Sequence, residues 1–225
     1  MSTPPRNRVR CIDFSPSTFL AEVRAASGSN ALSSDTTQTG YLADYLAALG
    51  TRSLVIEPHY VDRHFIEETG LYYSKCFIQR PNSCVRVHAF SRQLRDADLD
   101  MLLSHACRRG PRIIESILSR TYLGFTVIRP IATVPIGRTV LSPLRDQSRR
   151  VFDTTIEYTA HVLGLRLAVH ALAFQQQDQA VAACATTAIW SALQRASRHD
   201  GGRAPTPTAI TDASSSHPTG SGRPY

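Results

Sequence analysis

One segment of this sequence carries both a fold signal and a chemical one, and it reads Phe174-Gln-Gln-Gln-Asp-Gln-Ala-Val-Ala-Ala-Cys184-Ala-Thr-Thr-Ala-Ile-Trp190-Ser-Ala-Leu193. A run of glutamines leads into a turn of small residues, and Cys184 then opens an apolar helix. Because the unpaired N–H groups and the dipole of a helix N-terminus favour an anion, this position favours a thiolate. An amide side chain just upstream can donate to the oxyanion that forms when a thiolate attacks a carbonyl group. The segment therefore predicts a nucleophilic Cys184 with Gln177 or Gln179 as the amide donor.

Residues 174–195 resemble the nucleophile segment of papain-like cysteine peptidases, including the double-glycine-leader peptidases of bacterial exporters. That family places a glutamine about six residues before the cysteine, which begins a long central helix. Here Asp178 occupies that position, between Gln177 and Gln179, and alanines flank the cysteine where the family tends to have Gly or Asp. The resemblance implies a thiol hydrolase with a peptide or isopeptide substrate, in which Trp190 packs into the core.

The resemblance also implies a histidine well after the cysteine, on a strand packed against the helix. Downstream of Cys184 the sequence has His199 and His217. His199 lies on the same predicted helix, roughly 22 Å away at 1.5 Å per residue, and cannot reach the sulfur. The chain is therefore expected to be C-terminally incomplete, and inactive as it stands, or to take its base from an upstream histidine. In a further alternative the cysteine is structural, in a packing stripe of Cys184, Ala188, Ala192 and Leu193.

The distribution of charge supports a different class of function. The chain has 225 residues and a net charge of +7, and Lys75 is its single lysine. Nine arginines lie between Met101 and Arg150, against only Glu115 and Asp146. The alternative to an enzyme is therefore a non-catalytic interaction module, whose basic segment Arg108–Arg150 binds nucleic acid or an acidic partner.

The cysteine content and the N-terminus bear on the compartment. The five cysteines are odd in number and irregularly spaced. The first residues contain no apolar segment typical of a signal peptide, and no apolar run is long enough for a membrane span. We therefore predict reduced thiols, a cytoplasmic location and no membrane partner, and the arginine bias favours a bacterial source.

Four potential metal ligands share one region of the sequence, namely His64, Cys76, Cys84 and His88. Zinc ligands usually come as close pairs, and the Cys-x7-Cys-x3-His spacing does not fit that pattern. Packing within strands explains these residues better, so we predict neither a metal nor a cofactor.

Hydrophobic periodicity predicts an α+β fold with antiparallel hairpins and several helices, ending in the helix of a partial papain-like domain. The predicted divisions are a flexible segment at 1–40, an α+β domain at 41–150, the start of a papain-like domain at 151–198 and a disordered tail at 199–225. The helices are predicted at 17–26, 41–49, 64–69, 96–109, 111–119 and 184–198. The strands are predicted at 53–56, 71–79, 84–90, 122–129, 136–142, 152–158 and 165–174.

Overall fold

A computed structural model describes residues 8–28, 37–71, 81–144, 155–177 and 184–215. Within these ranges the strands are β1 (Arg10–Asp13), β2 (Ser53–Tyr60), β3 (Cys84–Phe90), β4 (Tyr122–Ile128), β5 (Ile136–Leu141), β6 (Ile156–Val162) and β7 (Leu165–Phe174). The helices are α1 (Pro16–Ser27), α2 (Thr37–Ala48), α3 (Arg63–Leu71), α4 (Asp96–Arg109), α5 (Arg112–Ser119), α6 (Cys184–His199) and α7 (Pro207–Ser215). The predicted mixture of helices and antiparallel strands is confirmed.

The strands form one antiparallel sheet in the order β1-β2-β3-β4-β5-β7-β6. The β6–β7 hairpin closes through Leu163 and Gly164, which both have positive φ angles of 51° and 82°. Such angles fit a two-residue turn that matches the twist of its strands. The sheet is curled. Arg86 of β3 donates a hydrogen bond to the carbonyl of His161 on β6, and this contact shows the curl because three strands separate β3 from β6 in the sheet.

Alternate residues of the sheet face two separate cores, as β2 illustrates. Leu54 and Ile56 belong to a core with the helices α1 and α2, and Val55 belongs to a core with α4 and α5. This alternation is what a strand covered on both faces requires. The sheet therefore lies between two helical layers.

The bounds of α4, β3 and β7 agree with the sequence-based prediction, since each has an unbroken periodic pattern. Three strands differ clearly from their predictions. The strand β1 was not predicted, and β2 continues to Tyr60 beyond its predicted end at residue 56. The strand β6 begins at Ile156 and continues through His161, which was predicted to lie in the connection to β7. Residues 72–80, where most of another predicted strand falls, lie outside the described ranges, and Leu71 belongs to α3.

The predicted segment boundaries also differ from the structure. The segment predicted to be flexible contains β1 and α1, and the sheet crosses residue 150 because β5 pairs with β7. The predicted tail contains α7, where Thr206 accepts a 3.2 Å hydrogen bond from the backbone N–H of Ala209. Thr206 and Thr208 are both buried, and α7 contacts α3 and α6. A capped and packed helix thus forms where composition alone predicted disorder.

None of the helices in the described part of the chain has the length and apolar character needed to cross a membrane.

Candidate functional site

Cys184 is the first residue of α6, and its side chain is exposed. Its Sγ atom donates a hydrogen bond to Gln177 Oε1 over 3.0 Å. Gln177 lies three residues after the end of β7 and is exposed as well. The structure therefore brings together the predicted nucleophile and one of the two predicted amides.

The position of Gln177 depends on its neighbour Gln176. The backbone N–H of Gln176 donates to the carbonyl of Ile136 over 3.1 Å. The Ile136 N–H in turn donates to Gln176 Oε1, also over 3.1 Å. This pair of hydrogen bonds continues the β5–β7 pairing beyond Phe174, so the sheet fixes the chain immediately before Gln177.

The helix α6 packs against the rest of the protein through the face that bears Trp190. Trp190 is completely buried, and its ring lies edge-on to His64 with 5.5 Å between the ring centroids. Thr186 and Thr187 are buried beside it. The packing of Trp190 that the resemblance implied is confirmed.

The alternative packing stripe is wrong. Cys184, Ala188 and Ala192 are exposed, and Leu193 is only half-buried. The buried face of α6 is turned away from these residues because it is set by Trp190. The Cys184 sulfur is therefore open to solvent rather than enclosed by aliphatic side chains.

The other cysteines differ in their surroundings. Burial, followed by the charges of Asp96 and Asp98, raises the pKa of Cys11 to about 12. Burial likewise raises the pKa of Cys84. Cys107 is exposed but lies near the C-terminal end of α4, and Cys76 is outside the described ranges. Among the described cysteines, only Cys184 is both exposed and located at a helix N-terminus.

No histidine within the described ranges forms a hydrogen bond with the Cys184 sulfur. His199 is at the far end of α6, beside Asp200, as its position in the sequence required. His64 packs against Trp190, and its Nδ1 atom is buried without a hydrogen-bond partner in this part of the structure. Asp178 and Gln179 lie outside the described residues, so the contribution of Gln179 stays a prediction.

A buried polar network connects the central strands. His88 lies between Tyr122, whose hydroxyl is 2.9 Å from Nδ1, and Glu57, whose Oε2 is 3.3 Å from Nε2. Arg86 donates to the same Glu57 oxygen over 2.7 Å. Burial lowers the pKa of His88 to about 4, so the ring is neutral near pH 7. The network has no access to solvent at His88, and it supports the sheet rather than a reaction.

The interpretation of Cys84 and His88 as packed strand residues is confirmed, because both are buried in β3. His64 differs, since it lies in α3. In the described ranges, no three His, Cys, Asp or Glu side chains are grouped closely enough to hold a metal ion.

The basic segment does not form a single face. Arg129 is buried and lies 3.1 Å from Glu68, and Arg138 is turned inward, 3.3 Å from the buried Asp62. Other arginines of the segment are exposed, at positions 108, 109, 112 and 120.

The chain matches no family model, no curated protein and no solved structure. The assignment of the thiol site therefore depends on its own geometry and on residues 174–195.

Proposed function

We propose that this chain is a thiol-hydrolase-like protein of the papain type, with Cys184 as the nucleophile and Gln177 as the amide of the oxyanion site. The observation that carries the proposal is the 3.0 Å contact between an exposed sulfur, at the first residue of α6, and the Gln177 amide. A peptide or isopeptide is the proposed substrate class. No metal or cofactor enters the reaction.

The proposed reaction begins when the Cys184 thiolate attacks the carbonyl carbon of the substrate. A C–S bond forms, and the carbonyl electrons move to oxygen, which becomes an oxyanion. Rotation of the Gln177 amide presents its Nε2–H groups to that oxyanion once the thiol no longer donates to Oε1. The oxyanion then collapses, the C–N bond breaks, and the amine leaves with the proton that the thiol gave up. Water hydrolyses the resulting thioester to the acid and restores the thiol.

The proton released by the thiol requires a base. Because no described histidine contacts the sulfur, the first test concerns nucleophilicity rather than turnover. Iodoacetamide forms an S–C bond with a thiolate and releases iodide, so its rate reports the reactivity of each cysteine by mass spectrometry. Cys107 is the matched control, since it is also exposed but lies near the opposite end of a helix.

We expect iodoacetamide to label Cys184 at least about tenfold faster than Cys107 at pH 7. A peptide bearing an electrophilic epoxide should also modify the wild-type chain but not Cys184→Ser. Equal labelling of the two cysteines would overturn the nucleophile assignment. A fast reaction with iodoacetamide without any modification by the peptide epoxide would overturn the hydrolase assignment.

A second candidate function is an interaction module that binds nucleic acid or an acidic partner. The observation in its favour is the exposed basic corner, defined by Arg108, Arg109 and Arg112 at the junction of α4 and α5. On this candidate the chain binds single-stranded DNA with an affinity that falls steeply as the salt concentration rises. Substitution of all three arginines by Gln should abolish this binding, whereas Cys184→Ala should leave the binding intact. The absence of DNA binding at low salt would remove the nucleic-acid form of this candidate.

We also propose a cytoplasmic location, from the odd number and irregular spacing of the cysteines, and a bacterial source, from the arginine-rich composition.

A further inference from the structure

A cavity of about 350 Å³ lies away from the thiol, between the end of β2, the start of α3, the strand β6 and the second half of α6. Four arginines line it: Arg63, Arg138, Arg198 and Arg203. We refer to it as the arginine pocket. No carboxylate is among the described residues that line it. Because like charges repel one another, a cluster of arginines favours the binding of an anion.

Two of the four arginines have carboxylate partners. Arg63 donates to Glu67 over 2.8 Å, one turn later in α3. Arg138 lies 3.3 Å from the buried Asp62. Arg198 and Arg203 are exposed and form no ion pair within the described part of the chain. The arginine pocket therefore has two positive charges that the neighbouring residues do not balance.

Two of the residues that line the arginine pocket also have buried polar atoms without partners in the described part of the chain. Arg138 Nε and His64 Nδ1 are buried, and neither has a hydrogen-bond partner among the residues that the structure describes. Buried polar atoms are usually satisfied, because leaving one unpaired costs free energy. Arg138, which lines the arginine pocket, therefore has a donor that the described residues leave unsatisfied.

The state of the neighbouring groups suits an anion. Tyr60 accepts a 3.1 Å hydrogen bond from Arg138, which orients that guanidinium. Burial raises the pKa of Tyr158 to about 12, so its hydroxyl is a neutral donor at pH 7. Burial also lowers the pKa of His64 to about 4, although Asp62 acts in the opposite direction. The wall therefore presents hydrogen-bond donors without adding a negative charge.

We propose that the arginine pocket binds a small phosphate-bearing ligand, with the phosphate on Arg198 and Arg203 and its inner oxygen toward Arg138. Phosphate is favoured over other anions because guanidinium forks bind its oxygens in pairs, and because a dianion matches two unbalanced charges. The volume is at the lower end of the range for small-molecule sites, which fits a sugar phosphate or a mononucleotide.

The test compares ligands on the full chain at constant ionic strength. Thermal denaturation and titration calorimetry are run with inorganic phosphate, with AMP, with adenosine and with sodium chloride alone. A ligand that binds only the folded chain raises its melting temperature. We expect AMP and phosphate to raise it above the chloride baseline, with AMP binding more tightly, and adenosine to have no effect.

Variants then locate the binding. Arg198→Gln and Arg203→Gln should each weaken AMP binding by at least about tenfold, because each removes a charge-assisted contact. Arg92→Gln is the matched control, with the same change of charge on an exposed arginine outside both the arginine pocket and the basic corner, and it should bind as the wild type does. Both pocket variants change exposed side chains, so circular dichroism should show an unchanged fold.

Three results would overturn the proposal: no stabilisation beyond that of chloride, equal binding by the pocket variants and the wild type, or equal weakening in Arg92→Gln. Cys184→Ser should leave AMP binding unchanged. The experiments therefore test ligand binding in the arginine pocket independently of the thiol-hydrolase proposal.

Discussion

The guanidinium of Arg129 lies 3.1 Å from the carboxylate of Glu68, and both side chains are almost wholly buried. The contact joins the end of β4 to α3, and Arg129 also donates through Nε to the carbonyl of Val134 over 3.1 Å. A buried ion pair is costly to desolvate, and the loss of one partner leaves the other charged and unpaired. The pair therefore makes the position of α3 depend on the sheet.

We expect Glu68→Gln to lower the free energy of unfolding by about 3 kcal/mol, because it leaves the buried Arg129 charge uncompensated. Glu67→Gln is the matched control, since its partner Arg63 is partly exposed and the pair follows i,i+4 spacing. The control should cost less than about 1 kcal/mol. Urea unfolding of both variants measures the difference, and similar losses would contradict the importance of burial.

Gly124 is required by its conformation and by its surroundings. It has a φ angle of +121°, and a Cβ atom added there would overlap the carbonyl oxygen of Val140 on β5. We therefore expect Gly124→Ala to lower the free energy of unfolding by about 3 kcal/mol or more, as judged by its melting temperature.

Gly70→Ala is the control for Gly124, because a Cβ atom at this helical position meets no described atom within 4 Å outside its own stretch of helix. It should be neutral or stabilising, by up to about 1 kcal/mol. A folded Gly124→Ala chain with wild-type stability would show that β4 and β5 are less closely apposed than the structure has them.

The stability of the chain should fall as the pH decreases from 7 to 5, partly because of His88. Burial lowers the pKa of His88 to about 4, whereas a histidine in the unfolded chain titrates near 6.5. The unfolded state therefore binds a proton first, and about 2 kcal/mol is lost between pH 7 and pH 5. Burial lowers the pKa of His64 in the same direction.

Urea unfolding at both pH values isolates the contribution of His88. In His88→Gln the loss between pH 7 and pH 5 should be smaller by about 2 kcal/mol than in the wild type, whatever the stability at pH 7. His105→Gln, which changes an exposed histidine, should retain the wild-type pH dependence. Glu57 does not contribute to the change in stability between pH 5 and pH 7. Burial raises its pKa, but His88 and Arg86 together outweigh burial and lower the pKa.

The contact between Gln177 and Cys184 leads to a prediction about charge. In Gln177→Glu a carboxylate would replace the amide that now lies 3.0 Å from the sulfur. Because a nearby negative charge disfavours a thiolate, iodoacetamide should label Cys184 at least about tenfold more slowly than in the wild type. Gln194→Glu, in the second half of α6, is the control and should label normally. An unchanged rate in Gln177→Glu would show that the amide does not adjoin the reacting sulfur.

The sequence predicted those parts of the structure that depend on local periodicity. The bounds of α4, β3 and β7 follow from regular apolar spacing, and Cys184 begins a helix as its small-residue turn indicated. The helix α7 was not predicted, although Thr206 followed by Pro207 is a typical helix start. Composition outweighed that signal because the surrounding residues are Ser, Thr, Pro and Gly.

Features that depend on contacts between distant parts of the chain could not be predicted from local sequence patterns. The position of Gln177 beside the sulfur could not be predicted, because the pairing of Gln176 with Ile136 is a contact across 40 positions. Two alternatives for the buried face of α6 followed from the sequence, and the contact of Trp190 with His64 decides between them. The arginine pocket gathers residues from β5, α3, α6 and the α6–α7 connection, so no motif could have indicated it.

The strands β1 to β5 lie in the sheet in the order in which the ribosome makes them. Each new strand therefore emerges beside a growing edge that is already in place, so assembly can follow translation from the N-terminus. The single exchange, of β6 with β7, means that the last edge grows only after β7 has been synthesised and has brought β6 with it as a hairpin. The glutamines and Cys184 are synthesised after that step, so the thiol site forms on a sheet whose strands are already present.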